Sequence, residues 1–159
     1  MCPFRFGNIC YWFVAFLLLL FSSCGQHSLL DQTVRIGGHW NKLDAAKFET
    51  KVSDTLSNYD FYLNIRHNSH YRFSNLYLFM KTNFPNGNST RDTVEIILAN
   101  LEGKWLGKGW GDLREDHVLL RKNLRFPLKG TYKFMIWQAM RRDTLKGIRD
   151  VGIQIIPAK

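Results

Sequence analysis

The chain predicts an all-β fold, an antiparallel β-sandwich of about eight strands, of either the jelly-roll or the immunoglobulin-like kind. Three observations predict it. Apolar residues recur at every second position in many short runs, helical periodicity is sustained nowhere, and turn chemistry separates the runs at roughly regular spacing. The composition agrees with a single core: 159 residues, 45% hydrophobic and 14% aromatic, suit one domain with a short appendage rather than a two-domain enzyme. With four Pro and twelve Gly, the chain is neither collagen-like nor of disordered composition.

The first element, residues 1–23, is a signal peptide. One basic residue, Arg5, precedes thirteen uninterrupted apolar positions from Ile9 to Phe21, followed by Ser22-Ser23-Cys24. A bilayer-spanning helix needs about 20 apolar residues, so the shorter run fits a cleaved secretory segment better than a retained anchor. Small residues directly before Cys24 resemble a bacterial lipobox, which makes Cys24 the first mature residue. Cysteine usage supports this, because Cys2 and Cys10 fall in the removed segment and leave Cys24 without an internal disulfide partner. Acylation gives that thiol a use. Two or more acyl chains, at about 0.8 kcal/mol per buried CH₂, hold a protein stably at a membrane where one chain does not. Residues 24–32 then read as a lipidated tether, polar from Gln26 to Asp31, and 33–159 as the sandwich domain.

Within the domain the strands follow in order. Ala46–Val52 is enriched in alternating apolar positions; Phe61, Leu63 and Ile65 alternate with Tyr62, Asn64 and Arg66; Phe73–Lys81 is aromatic-rich. Val94, Ile96 and Leu98 continue the pattern. His117–Arg121, Leu124–Phe126, the Tyr132, Phe134 and Ile136 alternation, and Val151–Ile156 complete the set. Asn86-Gly87, inside Phe84-Pro85-Asn86-Gly87-Asn88, supplies the positive φ that a tight hairpin requires. Leu128-Lys129-Gly130 marks a second turn. No repeat of 20–50 residues is visible, which removes propellers and solenoids.

The formal charge is +9, and the domain keeps 21 of the 22 basic residues once 1–23 is removed. These cations are scattered, with no dense basic run beyond Arg141-Arg142, and an exported protein has little access to nucleic acid, so a nucleic-acid partner is not expected. Anionic lipid, acidic glycans or an acidic partner account for the excess, as does an ordinary solvated surface.

No residue pattern points to catalysis. Gly-x-Ser-x-Gly is missing, and Glu115 and Asp116 face opposite sides of an extended chain, which makes them poor partners at one centre. His67 and His70 lie at a strand end and loop without the ligand count of a metal site, and His39 and His117 are single. The expectation is a protein that is not an enzyme and carries neither cofactor nor metal.

The most unusual stretch is Glu102 to Asp112, with Trp105 and Trp110 set among four glycines and two lysines. The phosphate-loop spacing is missing. Two readings stay open: an exposed aromatic platform that stacks on a sugar, making a glycan ligand conceivable, or a pair of rings that plug the end of the sandwich while the glycines permit the bends. Separately, Asp54-Thr55-Leu56, Asp92-Thr93-Val94 and Asp143-Thr144-Leu145 resemble the Asp-Ser/Thr-apolar O-glycosylation sites of Bacteroidetes, with Thr55, Thr93 and Thr144 as acceptors. Local hydrogen bonding at turns produces the same pairs.

Spread along the mature chain are Gly38-His39-Trp40, Phe84-Pro85-Asn86-Gly87, Asp92-Thr93-Val94-Glu95, Gly103-Lys104-Trp105-Leu106-Gly107-Lys108-Gly109 and Phe126-Pro127. Gly130-Thr131-Tyr132-Lys133-Phe134, Gln138-Ala139-Met140-Arg141 and Gly147-Ile148-Arg149-Asp150-Val151-Gly152 follow. In this order and spacing the segments resemble the GldH family of gliding-motility lipoproteins from Bacteroidetes. The resemblance implies an envelope lipoprotein attached to the membrane through Cys24, working with protein partners of the gliding and type IX secretion machinery, with no catalytic residues or cofactor to carry over. Gly25-Gln26-His27-Ser28 lacks the acidic surface-export tag of some lipoproteins of this phylum, so the domain is expected to face the periplasm.

Overall fold

The computed structural model describes residues 28–159; the segment read from the sequence as a signal peptide, 1–23, and Cys24 lie outside the described residues. Ten strands form: β1 (Leu30–Arg35), β2 (His39–Asn41), β3 (Ala46–Val52), β4 (Asn58–His67), β5 (Asn75–Asn83), β6 (Ser89–Ile97), β7 (Arg114–Arg125), β8 (Gly130–Gln138), β9 (Thr144–Lys146) and β10 (Ile148–Pro157). Two four-stranded antiparallel sheets, ordered β1-β10-β4-β7 and β3-β8-β5-β6, carry the core between them, and β2 pairs with β9 in a small ribbon. Apart from the β5–β6 hairpin, each successive long strand crosses to the other sheet, and this strand order is that of a jelly roll rather than an immunoglobulin sandwich.

Alternation explains the layers. Phe61, Leu63 and Ile65 of β4 and Val151, Ile153 and Ile155 of β10 face Phe48 of β3 and Tyr132, Phe134 and Ile136 of β8. Phe61 and Phe134 meet edge to face across the sheets at 5.4 Å between ring centroids, a geometry that suits the ring quadrupole. The edge strand β6, covered on one face only, begins with an exposed polar run, Ser89 to Thr93.

Four strands differ from the sequence expectation. The segments expected at His117–Arg121 and Leu124–Phe126 are one twelve-residue strand, β7, whose register shifts opposite Tyr59 and Phe61. Asn123, at φ 56°, takes the extra residue of that irregularity, and its N–H donates to Asp60 Oδ1. β2 and β9, three residues each, are too short to show a period. β1 starts at Leu30, so Leu30 to Gln32, read from the sequence as tether, pair with Ile155, Gln154 and Ile153.

The Asn86-Gly87 hairpin closes β5 on β6 through a five-residue connection: Gly87 sits at φ 86°, its N–H donates to Phe84 O, and Phe84 N–H donates to Asn88 O.

The topology sorts the connections by end. The first described residues, the β3–β4, β5–β6 and β7–β8 turns and the C-terminus share one end. Leu29 marks it, with its carbonyl accepting from Thr50 Oγ1 at 2.8 Å across the two sheets. The segments 36–45, 68–74, 98–113 and 139–147 gather at the other end. β4 alone, ten residues at about 3.3 Å each, separates the two ends by roughly 30 Å.

Candidate functional site

The end remote from Leu30 holds most of the unusual chemistry. His67, the last residue of β4, is fully buried and Asp116 of β7 is 5% exposed, with Nε2 and Oδ2 3.3 Å apart. That separation allows electrostatic attraction, yet neither atom has a hydrogen-bond partner among the described residues. The pair follows from strand alternation. Arg114 to Asp116 run half-buried, exposed, buried, which sends Glu115 to solvent and Asp116 inward.

The glycine-rich segment seals this pair. Trp105, half-buried, meets the His67 ring in a T-shaped contact at 4.5 Å between centroids, and the Tyr71 ring lies 5.8 Å from it. Burial pushes the Tyr71 hydroxyl up, away from its ordinary value, and the hydroxyl donates to Asn75 O at 2.6 Å. Short bridges pin the segment, Ala99 to Trp105 and Lys108 to Glu115. Two glycines are needed for close approach rather than for positive φ. A Cβ at Gly107 would stand 2.6 Å from Asp116 Oδ2, and one at Gly109 would stand 2.0 Å from Leu113 O. No side chain fits there.

Trp110 has the opposite environment. It is 94% exposed, and Leu101 and Leu106 of the same segment are exposed with it. The structure therefore separates the two tryptophans: Trp105 is packed against His67, and Trp110 offers its ring to solvent beside Lys108.

The other residues singled out from the sequence are dispersed. Thr55 is half-buried in the β3–β4 turn, where Asp54 accepts from Leu56 N–H at 2.7 Å and from the Ser57 hydroxyl. Those bonds, the Ser57 hydroxyl first, hold the Asp54 carboxyl below its ordinary value. Thr93 is exposed on β6 and Thr144 exposed on β9. Asp143, just before Thr144, pairs with Lys42, which holds its carboxyl below the usual range. His117 is exposed, stacked on Tyr62 at 4.3 Å and bonded through Nδ1 to Asn64 Oδ1. His39 and His70 line a surface crevice with Lys146 and Arg149. Among the described residues, no three His, Cys, Asp or Glu side chains come together as a metal site would require.

Sequence reasoning missed the His67–Asp116 pair because the residues lie 49 apart in the chain and only the β4–β7 pairing joins them. The one available signal was a charged residue, Asp116, at the inward phase of a strand.

The model of the GldH lipoprotein family matches residues 29–155, all of the sandwich but the last two residues of β10. The chain belongs to this family. A GldH homolog described as a gliding motility lipoprotein from Christiangramia forsetii is 38% identical over 147 residues, covering 88% of this chain and 90% of its own. The gliding motility lipoprotein GldH of Flavobacterium johnsoniae is 34% identical over 145 residues, covering 87% and 89%. Among solved structures, the VP2 subviral particle of infectious bursal disease virus aligns with 81% of the chain at 11% identity, with a TM-score of 0.36. In this GldH-family chain, the glycine-rich segment and the buried His67–Asp116 pair both fall inside the matched region.

Proposed function

We propose that this protein is a noncatalytic lipoprotein, acylated at Cys24, that serves as an accessory part of the gliding motility and type IX secretion assembly by binding a protein partner. The observation that carries the reading is the opposition of ends: the chain leaves toward Cys24 from the end marked by Leu29, and the irregular loops with Trp110, Leu101 and Leu106 lie at the other. Five residues lie between Cys24 and Leu30, six steps along the chain and a reach of about 20 Å. A body held so closely presents its loop end away from the lipid, where an apolar and aromatic tip meets a partner rather than the anchoring bilayer. The names of the relatives, gliding motility lipoproteins, support the motility setting.

Deleting the gene in its host tests the reading. Loss of surface movement or of secretion supports it, and both processes unchanged overturns it. Mass spectrometry of native protein is expected to find the first mature residue, Cys24, carrying acyl chains. A domain that faces the periplasm survives protease treatment of intact cells, whereas its loss would place it on the surface. Intact mass would also register glycans on the exposed Thr93 and Thr144, or on Thr55.

A second reading, a glycan ligand, has one observation in its favour, the free ring of Trp110. A glycan array probed with the protein and with Trp110→Ala separates the readings: signal lost in the variant favours sugar binding, and silence across the array removes it.

A further inference from the structure

A crevice of about 260 Å³ runs along β9, lined by His70, Arg72, Phe73, Arg142 and the three residues of that strand. A second lobe of about 280 Å³ shares His70 and Lys146 with it and continues to Arg149 and the Gly37-Gly38 bend. No Asp or Glu lines either lobe. Arg72, Arg142, Lys146 and Arg149 form no ion pair with any carboxylate among the described residues. Asp143 and Asp150, which adjoin Arg142 and Arg149 in sequence, are taken by Lys42 and Arg66. Four permanent cations without counter-charges around one open crevice create a local positive potential that a solvated surface of mixed sign does not.

The floor of the crevice is an open strand edge. Among the described residues β9 pairs only with β2, in the register His39 with Lys146, Trp40 with Leu145 and Asn41 with Thr144. Gly147 N–H donates to Gly38 O and Lys42 N–H to Asp143 O. In an antiparallel ladder these bonds alternate, so Leu145 directs its backbone groups at β2 and the N–H and C=O of Thr144 and Lys146 point the other way, into the crevice. The opposite wall carries Phe73, an apolar surface beside the cations.

We infer that this crevice binds an extended acidic peptide, which adds to the free edge of β9 while its carboxylates meet Arg72, Arg142, Lys146 and Arg149. The inference deepens the proposed partner-binding role and rests on it for its biological setting. Backbone pairing supplies orientation, and the cations choose the sequence. An edge of three residues limits the number of main-chain bonds, so the charge contribution is large and binding is expected to weaken steeply with salt. A compact anion uses the cations and ignores the edge. An extended peptide uses both.

The test uses the full chain in detergent and a fluorescent eight-residue peptide alternating Glu with Val, read by anisotropy. Binding is expected, with the Lys-for-Glu peptide silent and affinity reduced at least tenfold by the double variant Arg72→Glu/Arg142→Glu. Two versions of the peptide, N-methylated on one or the other alternate set of amides, examine the edge without altering the protein: one set is expected to abolish binding. Equal binding of both methylated peptides, or polyphosphate competing at the same charge concentration as the peptide, overturns strand addition in favour of a general anion site. No binding of the parent peptide overturns the inference outright. Loss of movement on gene deletion alongside any of these results leaves the partner-binding role standing, so the two fail separately.

Discussion

His67 Nε2 faces Asp116 Oδ2 across 3.3 Å inside the protein, with the Trp105 ring packed against His67 and no hydrogen bond from the described residues reaching either atom. Desolvating two polar groups is costly, and their mutual attraction offsets that cost only while both are present. Asp116→Ala is therefore expected to destabilise the fold by about 3 kcal/mol. His67→Leu/Asp116→Leu should recover much of the loss, because the apolar pair leaves nothing unpaired. Urea denaturation of His67→Leu, Asp116→Leu and the double variant measures the coupling; additive losses would refute it.

Gly107 and Gly109 let the 98–113 segment lie against β7. Gly109→Ala places a methyl on the Leu113 carbonyl, and the segment must lift to admit it. Limited proteolysis is expected to cut within 98–113 in Gly109→Ala and to spare the parent. A melting temperature lowered without such cuts would mean that the strain spreads into the sheets.

Exposure separates the tryptophans. Trp110→Ala removes a ring that is 94% exposed and should change stability by no more than about 0.5 kcal/mol. Trp105→Ala uncovers His67 and is expected to cost about 2 kcal/mol, less than a fully buried Trp. Thermal unfolding of both variants checks the order, and reversal would contradict the packing of Trp105 on His67.

Asp54 offers a titration. The Ser57 hydroxyl and the Leu56 N–H both donate to the ionised carboxylate, so its folded value lies below the unfolded one. The stabilisation is present above the unfolded value and disappears as pH falls through the lowered folded value. Carbon-detected NMR should find the Asp54 midpoint below that of ordinary aspartates, and Ser57→Ala should move it upward. An unmoved midpoint would assign the shift elsewhere.

Much of this protein is determined by local pattern. Alternation at Phe61, Leu63 and Ile65 fixes which face of β4 is buried, and Ala46–Val52 is read from the sequence with the same boundaries as β3, because a strand with one face on the core and the other turned outward must segregate its side chains with a period of two. The Asn86-Gly87 turn is likewise legible from the conformational freedom of its residues. Tertiary structure decided the rest. The choice of jelly roll depends on which edges meet, β1 on β10 and β3 on β8, and a period of two is the same whichever neighbour a strand finds. It also decided that Trp105 packs on His67 while Trp110 faces water, that Asp116 reaches His67, and that the free edge of β9 lies among Arg72, Arg142 and Lys146. Each of these joins loops distant in the chain at one end of the sandwich, and contacts between distant segments leave no periodic trace in a single sequence.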